Sequence, residues 1–252
     1  SIYCIIKLIQ DKGDFMTEQE KQEILDKAKD FFTNTLVANH KKNTEKLKLK
    51  LFNINPFLIK YLANFMNGSS NPEDIAKALV YPRVLGTSIN TSFGTNLQKF
   101  CTSTLEGFAS TTSGIDIEFI DYTDGRKKYC QIKAGPNTIN KDDVKTIVDH
   151  FGAVKRLART NGLSLLYDDL IVGVFYGTKS ELNAHYKKID EEYPVIIGQD
   201  FWYRLTGDEN FYYDLIDTIA ESALDEDCTA LLNDTIKRIT KEIENDPSLC
   251  NH

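Results

Sequence analysis

The spacing of hydrophobic positions changes several times along the chain, and each change predicts a new element. Apolar residues recur at helical intervals from Thr17 to about Lys50, which predicts a long helical stretch. Pro56 ends it, because the residue before a proline is pushed out of the helical region. Residues 81–86 are predicted to be a connector. Further helices are predicted over 57–66, 72–80, 96–108, 141–159, 201–205, 211–223 and 224–245.

A period of two replaces the helical period in the middle of the chain. It predicts strands over 115–122 and 129–134, and Asp124-Gly125 between them predicts a hairpin turn because glycine tolerates positive φ. The apolar run 170–177 is typical of a strand buried on both faces, and 194–198 predicts another strand. Helix, hairpin, helix, strand and strand within helical flanks indicate a mixed α/β core.

The order of these elements also predicts how the chain is divided. We expect an N-terminal helical region over 17–80, a core with a mixed β-sheet over 81–205 and an acidic helical region over 206–252. The outer two regions are then helical additions to the core.

The predicted hairpin places polar side chains on two neighbouring strands. Asp116 and Glu118 share one face of the first strand, because side chains in a strand repeat with period two. Gln131 and Lys133 share a face of the second strand by the same rule. If the strands pair, a carboxylate, an amide oxygen and an amine meet in one small volume. A carboxylate that holds a divalent metal beside such an amine suits phosphodiester hydrolysis.

Charge is distributed unevenly along the chain. The net charge is -7, and the segment from Asp200 onward contributes thirteen acidic and four basic residues, or -9, which leaves +2 for residues 1–199. Five lysines lie between His40 and Lys50, and Arg126-Lys127-Lys128 forms a second basic cluster beside the predicted site. Local clusters rather than the global charge form a phosphate-binding surface. A solvated helix face and a solvated turn explain the same lysines, so the charge permits DNA binding without requiring it.

Composition limits the class of protein. The chain is ordinary for a globular protein at 252 residues, 41% hydrophobic and 27% charged. No apolar run reaches the length of a membrane span. The five cysteines are scattered without metal-type spacing, which indicates reduced thiols and a cytoplasmic protein. Thr17-Glu18-Gln19-Glu20 after Met16 is typical of a helix start, so residues 1–15 could precede the native start.

The hairpin residues resemble a known family of nucleases. Asp116 followed by Gln131-x-Lys133 resembles the PD-(D/E)XK nuclease superfamily in a Gln-x-Lys variant. The longer strings are similar to the PmeII-like branch of type II restriction endonucleases. They are Ile54-Asn55-Pro56-Phe57, Tyr81-Pro82-Arg83-Val84-Leu85-Gly86-Thr87, Gly114-Ile115-Asp116-Ile117-Glu118-Phe119, the segment from Cys130 to Asn140, and Val172-Gly173-Val174-Phe175-Tyr176-Gly177.

The resemblance implies Mg²⁺-dependent cleavage of double-stranded DNA at a short sequence by a homodimer, with a restriction-endonuclease-like fold. It implies that Asp116 ligates the metal and that Lys133 positions or activates the attacking water. Gln131 stands where the superfamily usually has Asp or Glu, which removes one negative charge from the site. The backbone carbonyl of Ile132 is a further expected ligand.

A site with one carboxylate fewer needs a second one from elsewhere, because Mg²⁺ prefers carboxylate oxygens. Glu106 on the preceding predicted helix is the first choice. Glu118 is the rival, although it lies about 6.6 Å along the strand from Asp116. The amides and dipole of a helix beginning at Lys141 favour phosphate, so contacts to DNA are expected near that helix. The residues expected there are Asn137, Thr138, Asn140 and Lys141, although turn and capping chemistry explains them equally well.

Several alternative interpretations stay open from the residues alone. Asp116 and Lys133 could form a structural ion pair. Gln131 leaves room for a DNA-binding module of the same fold that has lost catalysis. A nuclease acting on branched DNA in repair would show a preference for shape rather than sequence. An interaction protein working through its acidic C-terminal helix would show no salt-sensitive affinity for DNA.

Overall fold

The computed structural model describes residues 17–103, 109–224 and 228–250. The chain forms two compact units, one from residues 1–29 and 97–220 and the other from residues 30–96 and 221–252. None of the helices in the described part of the chain is long and apolar enough to cross a membrane.

Helices account for most of the described elements. In chain order the α-helices are α1 (Glu18–Phe32), α2 (Ala38–Glu45), α3 (Pro56–Asn67), α4 (Pro72–Pro82), α5 (Ile89–Ser103), α6 (Lys141–Thr160), α7 (Ala184–Asp190), α8 (Gln199–Thr206), α9 (Phe211–Glu221), α10 (Cys228–Glu244) and α11 (Pro247–Cys250). π-Helical segments cover Thr33–Val37 and Arg83–Ser88, and 3₁₀ turns cover Leu49–Leu51, Tyr167–Asp169 and Lys179–Glu181.

Four strands form one mixed sheet in the first unit. They are β1 (Ile117–Ile120), β2 (Lys127–Lys133), β3 (Leu170–Val174) and β4 (Val195–Ile197), in the order β1-β2-β3-β4. The pair β1–β2 is antiparallel, with Ile117 opposite Cys130. The pairs β2–β3 and β3–β4 are parallel, so α6 and α7 serve as the crossover connections. The sheet flanked by helices confirms the predicted mixed α/β class.

Both faces of this sheet are covered. One face carries Val172 of β3 and Val195 of β4 and packs against a buried stripe of α6 that includes Ile147 and Phe151. On the other face Phe201 and Trp202 of α8 are fully buried. The Trp202 Nε1–H donates to the carbonyl of Phe175 at 3.0 Å, which satisfies the buried polar atom. A sheet covered on both faces explains the continuous apolar run of β3.

The second unit has a separate helical core. In it α4 packs against α3 and α10. Its buried residues are Leu47, Leu49, Ile59, Ala63, Ile75, Ala76, Ala78, Val80, Val84, Ile236, Ile239, Ile243 and Leu249. Helix α3 buries Ile59 and Ala63 in this core, and Leu62 packs against it partly buried, so one side of the helix faces the core.

Local capping signals were read correctly from the sequence. The hydroxyl of Thr17 accepts the Glu20 N–H at 3.3 Å, and the Glu20 carboxylate accepts the Thr17 N–H at 2.8 Å, which makes a capping box. Asn140 and Asp143 form another at the start of α6. Gly125 has the positive φ of +68° expected in the hairpin turn.

The predicted connector at residues 81–86 is wrong. Helix α4 continues to Pro82, and the π-helical segment Arg83–Ser88 leads directly into α5. Proline lacks the N–H that an α-helical turn requires. A wider turn accommodates this defect without ending the helical path. Helix α7, begun by the side-chain cap of Asn183, was not predicted from the sequence.

Candidate active site

Asp116 lies directly before β1, beside the end of β2 that carries Gln131 and Lys133. Its backbone N–H donates to the Cys130 carbonyl at 3.0 Å, and Cys130 is also the residue opposite Ile117, so two residues of the first arm meet one residue of the second. Gln131 and Lys133 share one face of β2, as the alternation of a strand predicts. The charge of Lys133 acts on Asp116, which brings the two side chains into one region.

The carboxylate of Asp116 is held by the neighbouring strand. Its Oδ2 accepts the backbone N–H of Ile132 at 2.7 Å. Burial raises the pKa of Asp116, and the Ile132 N–H and the nearby charges of Lys133 and His150 offset this only in part. The carboxylate is thus desolvated without being fully compensated by the protein. Such a group gains most from an added cation.

His150 of α6 completes this cluster, and the sequence analysis missed it. Its Nδ1 lies 3.1 Å from the Nε2 of Gln131, whose side chain is only 5% exposed. Gly114 makes room for the ring, because a Cβ at that position would lie 2.5 Å from the His150 Cγ. Gly114 also has a φ of +80°, which other residues rarely adopt. The sequence gives one signal for this position. His150 follows Ile147 by three residues, and residues three apart lie on the same side of a helix, so His150 is expected on the side of α6 that faces the sheet.

Lys133 is the last residue of β2 and is half-buried. It forms no salt bridge with any residue in the described ranges, although its charge acts on Asp116. A direct structural ion pair between Asp116 and Lys133 is therefore not formed within 4.0 Å. The ammonium group remains available for a phosphate.

The two candidates for a second carboxylate have different outcomes. Glu106 lies outside the described residues. Glu118 accepts from the Ser110 hydroxyl at 2.5 Å and the Thr112 hydroxyl at 3.1 Å, and pairs with Lys127 at 2.5 Å. Burial raises the pKa of Glu118, but the hydrogen bonds from Lys127 and Ser110 outweigh it, so the pKa lies below its ordinary value. The protein itself already compensates this carboxylate.

The loop after Lys133 is rigidly held. The Thr138 hydroxyl donates to the Gly135 carbonyl at 2.8 Å, and the Tyr186 hydroxyl donates to the same carbonyl at 3.0 Å. Burial raises the pKa of Tyr186 to about 12, which keeps this donor protonated. The Asn140 side chain caps α6 by accepting the N–H groups of Asp142 and Asp143. All four residues predicted to meet DNA are exposed: Asn137, Thr138, Asn140 and Lys141.

Comparison with known proteins identifies the family. A family model described as type II restriction endonuclease EcoO109I matches residues 21–227, most of the chain. The chain belongs to this family. Its reaction is therefore endonucleolytic cleavage of DNA, and the sheet described above is the restriction-endonuclease-like fold. A search of curated proteins found no match.

The basic cluster of the endonuclease beside the hairpin turn is neutralised by its own carboxylates. Arg126 donates to both oxygens of Asp169, at 2.9 and 2.5 Å. Lys128 is 1% exposed and pairs with Asp124 at 2.5 Å. With Lys127 bound to Glu118, each of the three charges is paired within the protein. The turn is exposed at Asp124, Gly125 and Lys127, but the cluster is not a free phosphate-binding surface.

The oxygen donors of the endonuclease fit a hard divalent cation. The carboxylate of Asp116 lies against β2, and the Gln131 side chain contacts His150, whose charge acts on Asp116. The Ile132 N–H points toward the first arm of the hairpin, where it donates to Asp116. Because the N–H and the carbonyl of one strand residue point to the same side, the Ile132 carbonyl also points toward that arm. No group of three or more His, Cys, Asp or Glu side chains in the described ranges could hold a metal. Mg²⁺ commonly binds one or two carboxylates and takes its remaining ligands from water and phosphate, so this sparse donor set fits it.

Proposed function

We propose that this endonuclease cuts both strands of duplex DNA at a short specific sequence, with Mg²⁺ as cofactor and as a homodimer. The observation that supports the proposal is the position of Asp116 beside the end of β2, where the charge of Lys133 acts on it and Gln131 contacts His150. A carboxylate, an amide oxygen and an unpaired ammonium group are the groups that metal-assisted phosphodiester hydrolysis requires.

We further assign the site to the PD-(D/E)XK superfamily in its Gln-x-Lys variant. The support is the position of each residue: Asp116 directly before β1, and Gln131 and Lys133 at the end of β2. The run Ala134-Gly135-Pro136-Asn137 supports the finer placement in the PmeII-like branch.

Asp116, Gln131 and the carbonyl of Ile132 would hold the cation. When bound, the cation neutralises charge on the scissile phosphate and lowers the pKa of the attacking water. Gln131 contributes no charge, so Asp116 is the main source of affinity among the described residues. A carboxylate at Glu106 would complete the set.

Lys133 would act on the phosphate and on the water. Its ammonium can hold a phosphate oxygen as negative charge develops during in-line attack, or its amine can take the proton of the water. In either case the bond between phosphorus and the 3′ oxygen breaks as the bond to the water oxygen forms. Its lack of an ion pair with the described residues supports this role, since a paired lysine would have to give up its partner first.

His150 would be a positioning residue for Gln131. With Nε2 donating to Nδ1, the amide oxygen of Gln131 is the atom that remains for the cation. Partners of metal ligands fix the orientation of the ligand in this way. Asn137, Thr138, Asn140 and Lys141 remain proposed contacts to the DNA backbone near the start of α6.

The experiment that tests the proposal is incubation of the purified protein with plasmid and phage DNA in Mg²⁺ and in EDTA, followed by sequencing of the ends. We expect discrete fragments with a common sequence at their ends in Mg²⁺ and intact DNA in EDTA. Fragments in EDTA would contradict the role of the cation. Cleavage at branches or junctions without a common sequence would favour a repair nuclease instead.

One alternative has its own support. Gln131 removes a negative charge from the metal site, so a domain that binds DNA specifically without cutting it is the second candidate. It predicts retention of one duplex sequence in a mobility assay with no breakage at any Mg²⁺ concentration.

A further inference from the structure

Helix α3 of the second unit exposes an aromatic stripe. Phe57, Tyr61 and Phe65 recur every four residues, which places them on one face of the helix. Their exposed fractions are 89%, 60% and 77%. Leu58 and Met66 beside them are 50% and 45% exposed. We call these five residues the α3 patch.

The patch is not required by the fold of its own unit. Helix α3 reaches the core through Ile59 and Ala63, and both capping signals at its ends are satisfied. Asn55 caps the first turn through its side chain, and Gly68 ends the helix in a left-handed conformation. The helix is therefore complete without the aromatic residues. Exposed contiguous apolar area of this kind marks an interaction site.

We infer that the α3 patch is the surface through which two copies of this chain associate. The inference deepens the proposed homodimer and rests on it for the choice of a second copy as occupant. At about 200 Å² per aromatic side chain, the exposed parts of the three rings alone amount to roughly 450 Å². That is more than half of the ~800 Å² that each partner contributes to a standard interface.

The chemistry of the helix favours self-association. Lys60 is the only charged residue between Pro56 and Asn67, so two copies of α3 bring no large like charges together. The stripe is centred on Tyr61, whose ring stacks on Phe65 with centroids 6.1 Å apart. In a two-fold arrangement of antiparallel helices, the central residue faces its own copy near the axis while Phe57 faces Phe65. The two-fold axis therefore brings each aromatic residue of one copy opposite an aromatic residue of the other.

A charge exchange at Tyr61 tests the inference on the full chain. We expect the wild-type protein to sediment as a dimer in analytical ultracentrifugation without DNA. Tyr61→Glu and Tyr61→Lys should each sediment as monomers, because each places two like charges near the axis. An equimolar mixture of the two variants should recover the dimer, since the opposite charges then face each other. Restoration by mixing is not expected if the variants merely fail to fold.

Tyr167→Glu is the matched control, because Tyr167 is an exposed aromatic residue at 55% on a 3₁₀ turn of the first unit. It should remain dimeric. A monomeric wild-type protein, dimeric Tyr61 variants, no recovery on mixing or a monomeric control would each overturn the inference.

The cleavage pattern gives a second measurement that separates this inference from the proposed function. A monomeric Tyr61→Glu enzyme should accumulate nicked plasmid before linear plasmid, because each encounter then brings one active site to the duplex. If the wild-type protein is a dimer that does not cut DNA while each Tyr61 variant is a monomer, the proposed function fails and the α3 interface stands. If the Tyr61→Glu variant is still a dimer and cuts both strands together, the interface fails and the proposed function stands.

Discussion

Asp116 and Glu118 lie two residues apart in the first arm of the hairpin, and the protein surrounds the two carboxylates in opposite ways. Asp116 receives one backbone N–H, and its pKa is raised by burial. Glu118 receives two hydroxyls and an ammonium group, and its pKa is lowered. Both residues are carboxylic acids in the same arm of the hairpin, so the opposite directions of their pKa shifts come from the groups around them. The carboxylate suited to an added cation is the one whose charge the protein leaves largely uncompensated.

The largest expected effect separates these two carboxylates in catalysis. Asp116→Asn keeps an oxygen that can accept the Ile132 N–H but removes the charge that would hold the cation. We expect the rate of plasmid cleavage to fall by at least about 10³-fold, at the upper end of the loss of an electrostatic group. Glu118→Gln, the matched control, should retain cleavage. Equal losses in the two variants would remove the distinction between them.

Lys133 allows the same comparison for cations, because Lys127 is paired with Glu118 and Lys133 has no salt bridge to the part of the chain that the structure describes. Lys133→Ala should reduce single-turnover cleavage by about 10²–10⁴-fold, the range expected for a proton-transfer or charge-stabilising group. Lys127→Ala should affect folding stability instead, since its partner is Glu118. Rapid cleavage by Lys133→Ala would contradict its assignment.

A smaller effect is expected at His150, which contacts Gln131 and is not itself an expected ligand of the cation. His150→Ala should raise the Mg²⁺ concentration needed for half-maximal cleavage by about 10–100-fold. Calorimetric titration with Mn²⁺ in the absence of DNA gives a readout that does not depend on cleavage, and it should show the same weakening. His150→Asn supplies an amide oxygen that can accept from Gln131, so it should recover part of the affinity. Unchanged Mn²⁺ affinity in His150→Ala would assign the histidine to packing against Gly114 alone.

The smallest effect concerns stability and pH. The pKa of Asp116 is higher in the folded protein than in the unfolded chain. Below the unfolded pKa of about 3.9 the side chain is neutral in both states, so its burial does not lower the free energy of unfolding. As the pH rises through the folded pKa the buried side chain becomes charged, and the protein loses stability. Asp116→Asn should therefore melt higher than wild type at neutral pH without metal, by about 2–4 °C for each kcal/mol gained. The difference should vanish in acid.

Glu118 should show the opposite sign, because its pKa is lowered. Its contribution is present above the unfolded pKa of about 4.3 and is lost as the pH falls through the folded pKa. Glu118→Gln should melt lower than wild type at neutral pH and equal to it in acid. Thermal melts of both variants across the pH range in EDTA measure the contrast, and a shared sign would contradict it.

Sequence reasoning reached the hairpin because its signals are local. The period of two, the Asp124-Gly125 turn and the cap at Asn140 each depend on residues a few positions apart. Their combination predicts the antiparallel pairing of the two arms, which the structure has from Ile117 opposite Cys130 to Ile120 opposite Lys127. The family match then supports the reading of these residues as those of an endonuclease.

What the sequence did not reveal depends on contacts between distant residues. The availability of Arg126 for phosphate stayed open in the sequence, because its partner Asp169 lies about forty positions away in the chain. A lone histidine on an amphipathic helix carries no spacing signal, and only the packing of α6 on the sheet brings His150 to Gln131. The apolar residues of α3 do not reveal from the sequence which side of the helix is buried. The structure shows that Ile59 and Ala63 face the core and that the aromatic stripe is exposed.

The hydrogen bond from Ile132 to Asp116 has a practical consequence. A backbone amide that would ordinarily end on another carbonyl ends on the carboxylate of the active site. The chemical shift and solvent-exchange rate of this single proton must respond when the carboxylate gains a proton or a cation. The endonuclease thus carries a built-in spectroscopic probe of its own loading state, one that needs neither substrate nor label at the reacting atoms.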